Sequence, residues 1–299
     1  MKAIVQDRYG SADVLEFRDI EDPVVGEHDV LVRVRAAGCG PDVWHLMTGL
    51  PYFARLFLGL LKPKVPVRGR DVAGTVEAVG SSVEGFQPGD QVMGIVEGSF
   101  AELAIARPDK LTPKPARLSF EEAAAAPISG LTALQVIRDE GRVQPGQTVL
   151  VIGAAGGVGT LTVQIAKAFG AEVTGLCSTT KGDLVRSIGA DDVIDYTRED
   201  FADGSRRWDV IVGGDGGGRL TGGFFRGMLR APLLSVFVGQ RMRGLVSKEK
   251  QEDLQALTDL IEAGKVTPVI DRTYPLIESP DAIRYLEEGH PRGKVVVTV

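Results

Sequence analysis

The stretch VLVIGAAGGVGTLTVQIAKAFGAEVTGL, residues 149–176, constrains this chain more than any other part of it. An apolar run over 149–152 meets Gly153-Ala154-Ala155-Gly156-Gly157-Val158-Gly159. Apolar positions then recur at helical spacing over 158–169, and a second apolar run covers 172–176. Strand, glycine turn, helix and strand in that order make a βαβ unit and demand a parallel sheet. Glycine at 156 and 157 lets the backbone approach a pyrophosphate, and glycine at 159 lets the helix pack closely on the sheet. The helix N-terminus adds free N–H groups and the positive end of a dipole. The reading is a dinucleotide site at Ala155, Gly156, Gly157 and Val158. The alternative is a glycine-rich turn in an α/β protein that holds no nucleotide.

The turn after the second strand selects the dinucleotide. An NAD site carries an acid there for the ribose 2′-hydroxyl. This chain has Cys177-Ser178-Thr179-Thr180-Lys181, with no acid. Ser178 and Thr179 can donate to a 2′-phosphate and Lys181 can neutralise it, so NADP(H) is favoured. A lysine at a helix start is also commonly just solvated.

The rest of the chain splits in two. Its 299 residues suggest two domains or one large one. Short β-branched runs at 3–5, 30–34, 71–79 and 90–96, separated by turn signals, make the first part a small, mostly antiparallel β domain. From Ser119, which opens a capping box with Glu122, strands and helices alternate: strands at 192–194 and 209–212, helices at 181–188 and 251–263. The β-rich tail 295–299 is expected to return to the first domain. The expected division is 1–120 with 266–299 as the β-rich catalytic domain and 121–265 as the dinucleotide domain.

Composition removes several classes of function. The net charge of −6, with acids and bases interleaved, argues against a nucleic-acid binder. Two cysteines, Cys39 and Cys177, exclude a disulfide framework and a four-cysteine zinc lobe. No apolar run approaches the ~18–20 residues of a membrane span. The start MKAIVQDRYG has neither an apolar signal core nor an arginine-rich presequence, so the expected location is the cytoplasm.

Several landmarks in sequence carry a family resemblance. They are Gly69-Arg70-Asp71-Val72-Ala73-Gly74, Gly89-Asp90-Gln91-Val92, Gly130-Leu131-Thr132-Ala133, the glycine turn, Val193-Ile194-Asp195-Tyr196 and the closing Gly293-Lys294-Val295-Val296. Over nearly its whole length the chain resembles the medium-chain dehydrogenase/reductase superfamily, in its zinc-free quinone oxidoreductase branch. The resemblance implies a GroES-like, mostly β catalytic domain and a Rossmann-type, doubly wound parallel-sheet domain. It also implies that Thr132 and Tyr196 contact the cofactor.

Zinc-dependent members of that superfamily use a Cys shortly before an Asp, then a Gly-His-Glu, then a third ligand near the domain junction. Here Cys39 sits three residues before Asp42, but Arg70 replaces the His and Asp71 the Glu. The stretch 123–132 (AAAAPISGLT) offers no ligand. A catalytic zinc needs three protein ligands, so none is expected. Without a Lewis acid the remaining chemistry is hydride donation from NADPH to an electrophilic carbon, as in a quinone or an α,β-unsaturated carbonyl.

Within that resemblance Cys39 takes the place of an Asn near the nicotinamide, and Asp42 and His45 face the substrate pocket. A small buried hydrophobe is an equal reading of Cys39, and a structural histidine the stronger reading of His45. Tyr52 can donate its hydroxyl to a developing enolate or quinol oxygen, or simply pack. The apolar stretch 53–64 (FARLFLGLLKPK) is read as a lid for a hydrophobic substrate, with a packing helix equal to it and a membrane-surface contact weaker.

One departure stands out. After 208–212 (WDVIV) seven of the eleven residues from 213 to 223 are glycine, a composition that cannot pack as a helix. A helix and a strand of the family pattern are therefore lacking. Either the chain is genuinely short there, or a segment is left out between Val212 and Gly213. The second is favoured, because removing those elements uncovers apolar area on their neighbours. The alternative function is a non-catalytic NADPH-binding sensor or interaction protein. A homodimer is expected through the apolar edge strand 233–238 (LLSVFV), which would otherwise be an aggregation template.

Overall fold

The computed structural model describes residues 1–201, 206–213, 247–289 and 291–299. The expected dimer strand at 233–238 and most of the glycine run lie outside the described residues.

The first part forms a hairpin of β1 (Lys2–Val5) with β2 (Glu16–Asp19), and a larger sheet. That sheet takes β3 (Val30–Cys39), β4 (Asp71–Val79), β5 (Gln91–Ile95), β6 (Leu103–Ala106) and β7 (Leu111–Pro113). Its centre is β3, where Val30, Val32 and Val34 are buried while Arg33 and Arg35 point to solvent. This is the two-residue period of a strand with one covered face. Arg33 extends to Glu77 of β4 in a two-pronged hydrogen-bonded pair at 2.8 and 2.9 Å. The helix α1 (Pro41–Thr48) follows β3, starting at Gly40 with proline in its first turn and ending at Gly49 in the left-handed conformation. A short helix α2 (Arg55–Leu58) follows it.

The second part opens with α3 (Phe120–Ala124), capped as the sequence indicates: Ser119 Oγ accepts from the Glu122 N–H and Glu122 accepts from the Ser119 N–H. After α4 (Pro127–Gln135) comes the parallel sheet of β8 (Thr148–Ile152), β9 (Glu172–Cys177), β10 (Asp192–Asp195) and β11 (Val210–Gly213). Its order is β10-β9-β8-β11, with every pairing parallel. This is the 3-2-1-4 order of a doubly wound sheet, with the switch point between β8 and β11. The helix α5 (Gly157–Ala168) crosses from β8 to β9, with Leu161, Val163 and Ile165 in the core. A further helix, α6 (Gly182–Ser187), joins β9 to β10.

At the junction of Val212 and Gly213, Gly213 continues β11 and pairs with Ile152 as Val212 pairs with Val151.

After α7 (Gln251–Glu262) and the turn at Gly264, the strands β12 (Ile270–Pro275) and β13 (Lys294–Thr298) flank the helix α8 (Ser279–Glu287). β13 joins the first sheet antiparallel to β3, with Val296 opposite Gly38, and β12 lies parallel beside it. The C-terminal strand thus crosses back and brings its first residues against the glycine turn.

Candidate active site

The glycine turn leaves β8 at Gly153, whose φ of 72° needs glycine. Gly156 precedes α5 with extended backbone and no side-chain cap, leaving the first N–H groups of the helix without a side-chain acceptor. A Cβ on Gly159 would run into the Gly153 carbonyl. Ala155 and Val158 are buried. Gly156 pairs in parallel with Gly293, so the turn is braced by the chain's last crossover.

Beside the turn lies a group of buried charges. Lys294 Nζ is 2.8 Å from Asp71 Oδ2 and donates to Ser129 Oγ at 3.0 Å. The other oxygen of Asp71 accepts from the Ile128 N–H at 2.8 Å. Three distant segments thus meet on one carboxylate. Gly38 makes the room, since a Cβ there would sit 2.6 Å from Asp71 Oδ2. Asp42, in the first turn of α1, has a buried Oδ2 without a hydrogen-bond partner among the described residues. Burial pushes its carboxyl up against the pull of Lys294.

Arg70 completes the group. Its Nη2 is 2.5 Å from Glu249, and its side chain keeps 27% exposure. Burial alone would lower its pKa, but Glu249, Asp42 and Asp71 outweigh that and hold it above the ordinary range. Cys39 has no exposed surface and packs with Val43, Trp44 and Met47 in the core. Burial, aided by Asp42, pushes its thiol up.

The turn after β9 carries the other predicted cofactor residues. Thr179 donates to Asp195 and shares a 3.2 Å hydrogen bond with Thr197, while Ser178 stands at the start of the short turn Thr179–Lys181. Lys181 Nζ donates to the Pro291 carbonyl at 3.0 Å. Burial lowers its pKa, and the neighbouring Arg292 acts the same way against Asp271. Tyr196 is half exposed, its N–H on the Cys177 carbonyl. Thr132, on α4, donates to its own helix at the Ile128 carbonyl.

On the outer side, Tyr52 is 72% exposed. It borders a groove of about 330 Å3 with Tyr9, Thr48, Leu50, Arg55 and Glu287. The Arg55 guanidinium lies 4.3 Å from the Tyr9 ring centre and 4.8 Å from that of Tyr52, and donates to the Thr48 and Gly49 carbonyls. His45 binds the Leu50 carbonyl through Nδ1 at 2.9 Å and stacks edge-on against Trp44, as a structural histidine does. In the apolar stretch Phe53, Leu56, Phe57, Leu60 and Leu61 are all exposed, which removes the packing-helix reading. Cys39 and Tyr52, paired for catalysis on sequence, occupy opposite environments, one sealed in the core and one at the surface.

Sequence reasoning passed over Lys294, Asp71 and Arg70 as site residues. The signal was present: a lysine opens the apolar strand KVVV, and Arg70-Asp71 introduces the apolar run VAGTV. Charges in such places are buried at a cost unless paired.

Family models for an alcohol dehydrogenase GroES-like domain match residues 26–116, and models for a zinc-binding dehydrogenase match 157–216 and 188–297. The mitochondrial NAD(P)H oxidoreductase RTN4IP1 of Mus musculus is 32% identical over an alignment covering 100% of this chain and 89% of that protein. The chain belongs to the medium-chain dehydrogenase/reductase superfamily. It is an oxidoreductase of that superfamily. The 2-methylene-furan-3-one reductase of Solanum lycopersicum is 36% identical, with 99% of this chain and 79% of that protein covered. The solved quinone oxidoreductase of Coxiella burnetii superposes with a TM-score of 0.86 at 31% identity, covering 100% and 99% of the two chains. The alignment with the mouse superfamily member runs over 353 positions against 299 here, so that relative carries residues this chain lacks. Among the described residues no helix is long and apolar enough to cross a membrane.

Proposed function

We propose that this protein is an NADPH-dependent reductase of small hydrophobic quinones or α,β-unsaturated carbonyls, working without zinc. The observation that carries the reading is the buried Lys294–Asp71 pair beside the glycine turn, with Arg70 at the place of a metal-binding histidine. NADPH, when bound, supplies a hydride. The residues fit it: the uncapped start of α5 and the close backbone of Gly156 and Gly157 suit a pyrophosphate, and Lys181 with Ser178 suits a 2′-phosphate. The aliphatic stem of Lys294 closes the turn's side, its Cδ lying 3.4 Å from where a Cβ on Gly157 would stand.

The residues of the same cleft do not fit zinc. Arg70 is a cation where the resemblance places a histidine ligand, and Asp71 is already held by Lys294 and the Ile128 N–H. Among the described residues no three His, Cys, Asp or Glu side chains are grouped to hold a metal ion. We further assign 1–120 with 266–299 to the catalytic domain and 121–265 to the dinucleotide domain, in a cytoplasmic homodimer. The names of the tomato and Coxiella relatives support the substrate class.

The test is NADPH oxidation with a panel of quinones and enones, with and without a strong chelator. Turnover indifferent to the chelator is expected. Tight NADPH binding with no turnover on any member of the panel would instead establish the sensor reading.

A further inference from the structure

Hydride addition to an enone or quinone leaves negative charge on the carbonyl oxygen, and that charge needs a donor placed where it develops. Among the described residues of the cleft, Arg70 is a cation with donors to spare. Lys294 is spent on Asp71 and Ser129, at 5% exposure. Arg70 makes one side-chain hydrogen bond among the described residues, from Nη2 to Glu249, although a guanidinium carries five N–H donors. Its Nε and Nη1 donors remain, and the side chain is accessible at 27%.

The surroundings fix this cation in place. Glu249 holds one edge of the guanidinium from the segment before α7, and the Arg70 carbonyl accepts from the Val96 N–H. Lys110 donates to the Glu249 carbonyl, so the acid is itself held. The charges of Glu249, Asp42 and Asp71 together favour its charged form. Fixed donors of this kind need no reorganisation as charge appears on the substrate.

We infer that Arg70 is the oxyanion-binding residue of this site, presenting its free guanidinium edge to the substrate's carbonyl oxygen in place of a metal ion. The inference rests on the proposed reductase reading. In the step it serves, the β-carbon receives a hydride from the reduced nicotinamide. The alkene pair shifts to the bond between the α-carbon and the carbonyl carbon, and the carbonyl pair moves onto oxygen. Arg70 binds that enolate oxygen without giving up a proton. Water then supplies the proton to the α-carbon, so the product gains one hydride and one proton.

The experiment uses 4-nitrophenol, an oxyanion probe whose phenolate absorbs separately from the phenol, titrated into the NADPH complex of wild type, R70Q and R70K. Wild type is expected to bind the phenolate form, so that bound probe ionises at lower pH than free probe. R70Q should weaken binding about tenfold or more and abolish that shift, the scale of a lost charge-assisted hydrogen bond. R70K keeps the charge without the fork, and should fall between them. Phenolate binding by folded R70Q equal to wild type overturns the assignment. If R70Q does not fold, R70K decides: unchanged affinity overturns it and weaker affinity supports it. Failure of every quinone and enone to turn over, with phenolate binding still dependent on Arg70, would sink the reductase reading and leave the oxyanion site standing.

Discussion

Gly293 pairs in parallel with Gly156, so the residue just before the last strand of the chain ties it to the turn that starts α5. The next residue, Lys294, then places its ammonium between Asp71 and Ser129. A charged pair this deeply buried is costly to break, because either partner alone is an unpaired charge in a dry site.

Removing one member should therefore be far worse than removing both. Lys294→Met alone is expected to destabilise the protein by about 3–5 kcal/mol. Lys294→Met with Asp71→Asn, which keeps an acceptor for the Ile128 N–H, should recover much of that loss. Urea denaturation of the two variants checks this, and equal loss in both would show that the pair is not what the site depends on.

Lys181 should discriminate between cofactors. Its ammonium is drawn to the Pro291 carbonyl beside Arg292, at the turn expected to meet a 2′-phosphate. Loss of one charge-assisted contact is worth about 1.5–3 kcal/mol, or on the order of tenfold to a hundredfold in affinity. Lys181→Ala should raise the Kd of NADPH by that factor and leave NADH nearly untouched. Equal weakening of both in a fluorescence titration would place Lys181 elsewhere.

Tyr285 gives a pH signature. Burial, with its hydrogen bond to Asp271 at 2.6 Å, pushes its phenol from 10.0 up to about 12. The folded state thus holds the proton more tightly than the unfolded one. Its stabilising contribution is complete below pH 10 and is lost as pH rises towards about 12. Tyr285→Phe should start less stable at neutral pH, for want of the Asp271 bond, and lose less than wild type across that alkaline window. Parallel stability curves in thermal melts would contradict the assignment.

Arg55 holds the apolar segment to the body of the protein, through two ring faces and two carbonyls at the end of α1. Arg55→Ala should expose 52–62 to cleavage in limited proteolysis, with little change in global stability, since the segment contributes no fully buried side chain larger than Gly59. An unchanged cleavage pattern would show that Arg55 is not its tether.

Local pattern alone carried the glycine turn, α5, the parallel alternation and the Ser119–Glu122 capping box, because each depends on residues close in the chain. Neighbour spacing sets the hydrophobic face, and a glycine in a strand-to-helix turn has few other uses. The sequence could also say that Arg70 and Asp71 stand where the resemblance places a metal-binding His and its neighbouring Glu, since residue identity needs no fold. It could not say what fills the cleft instead. Asp71, Ser129 and Lys294 are far apart in sequence, and their charges become one site only when β13 folds back beside β3. Nor could it separate Cys39 from Tyr52, because burial belongs to the packed molecule: the core raises the thiol of one, and the surface leaves the other to solvent. Local chemistry fixed the nucleotide turn, and long-range closure decided which charges meet it, because dehydrating a charge commits it to whichever partner the fold delivers.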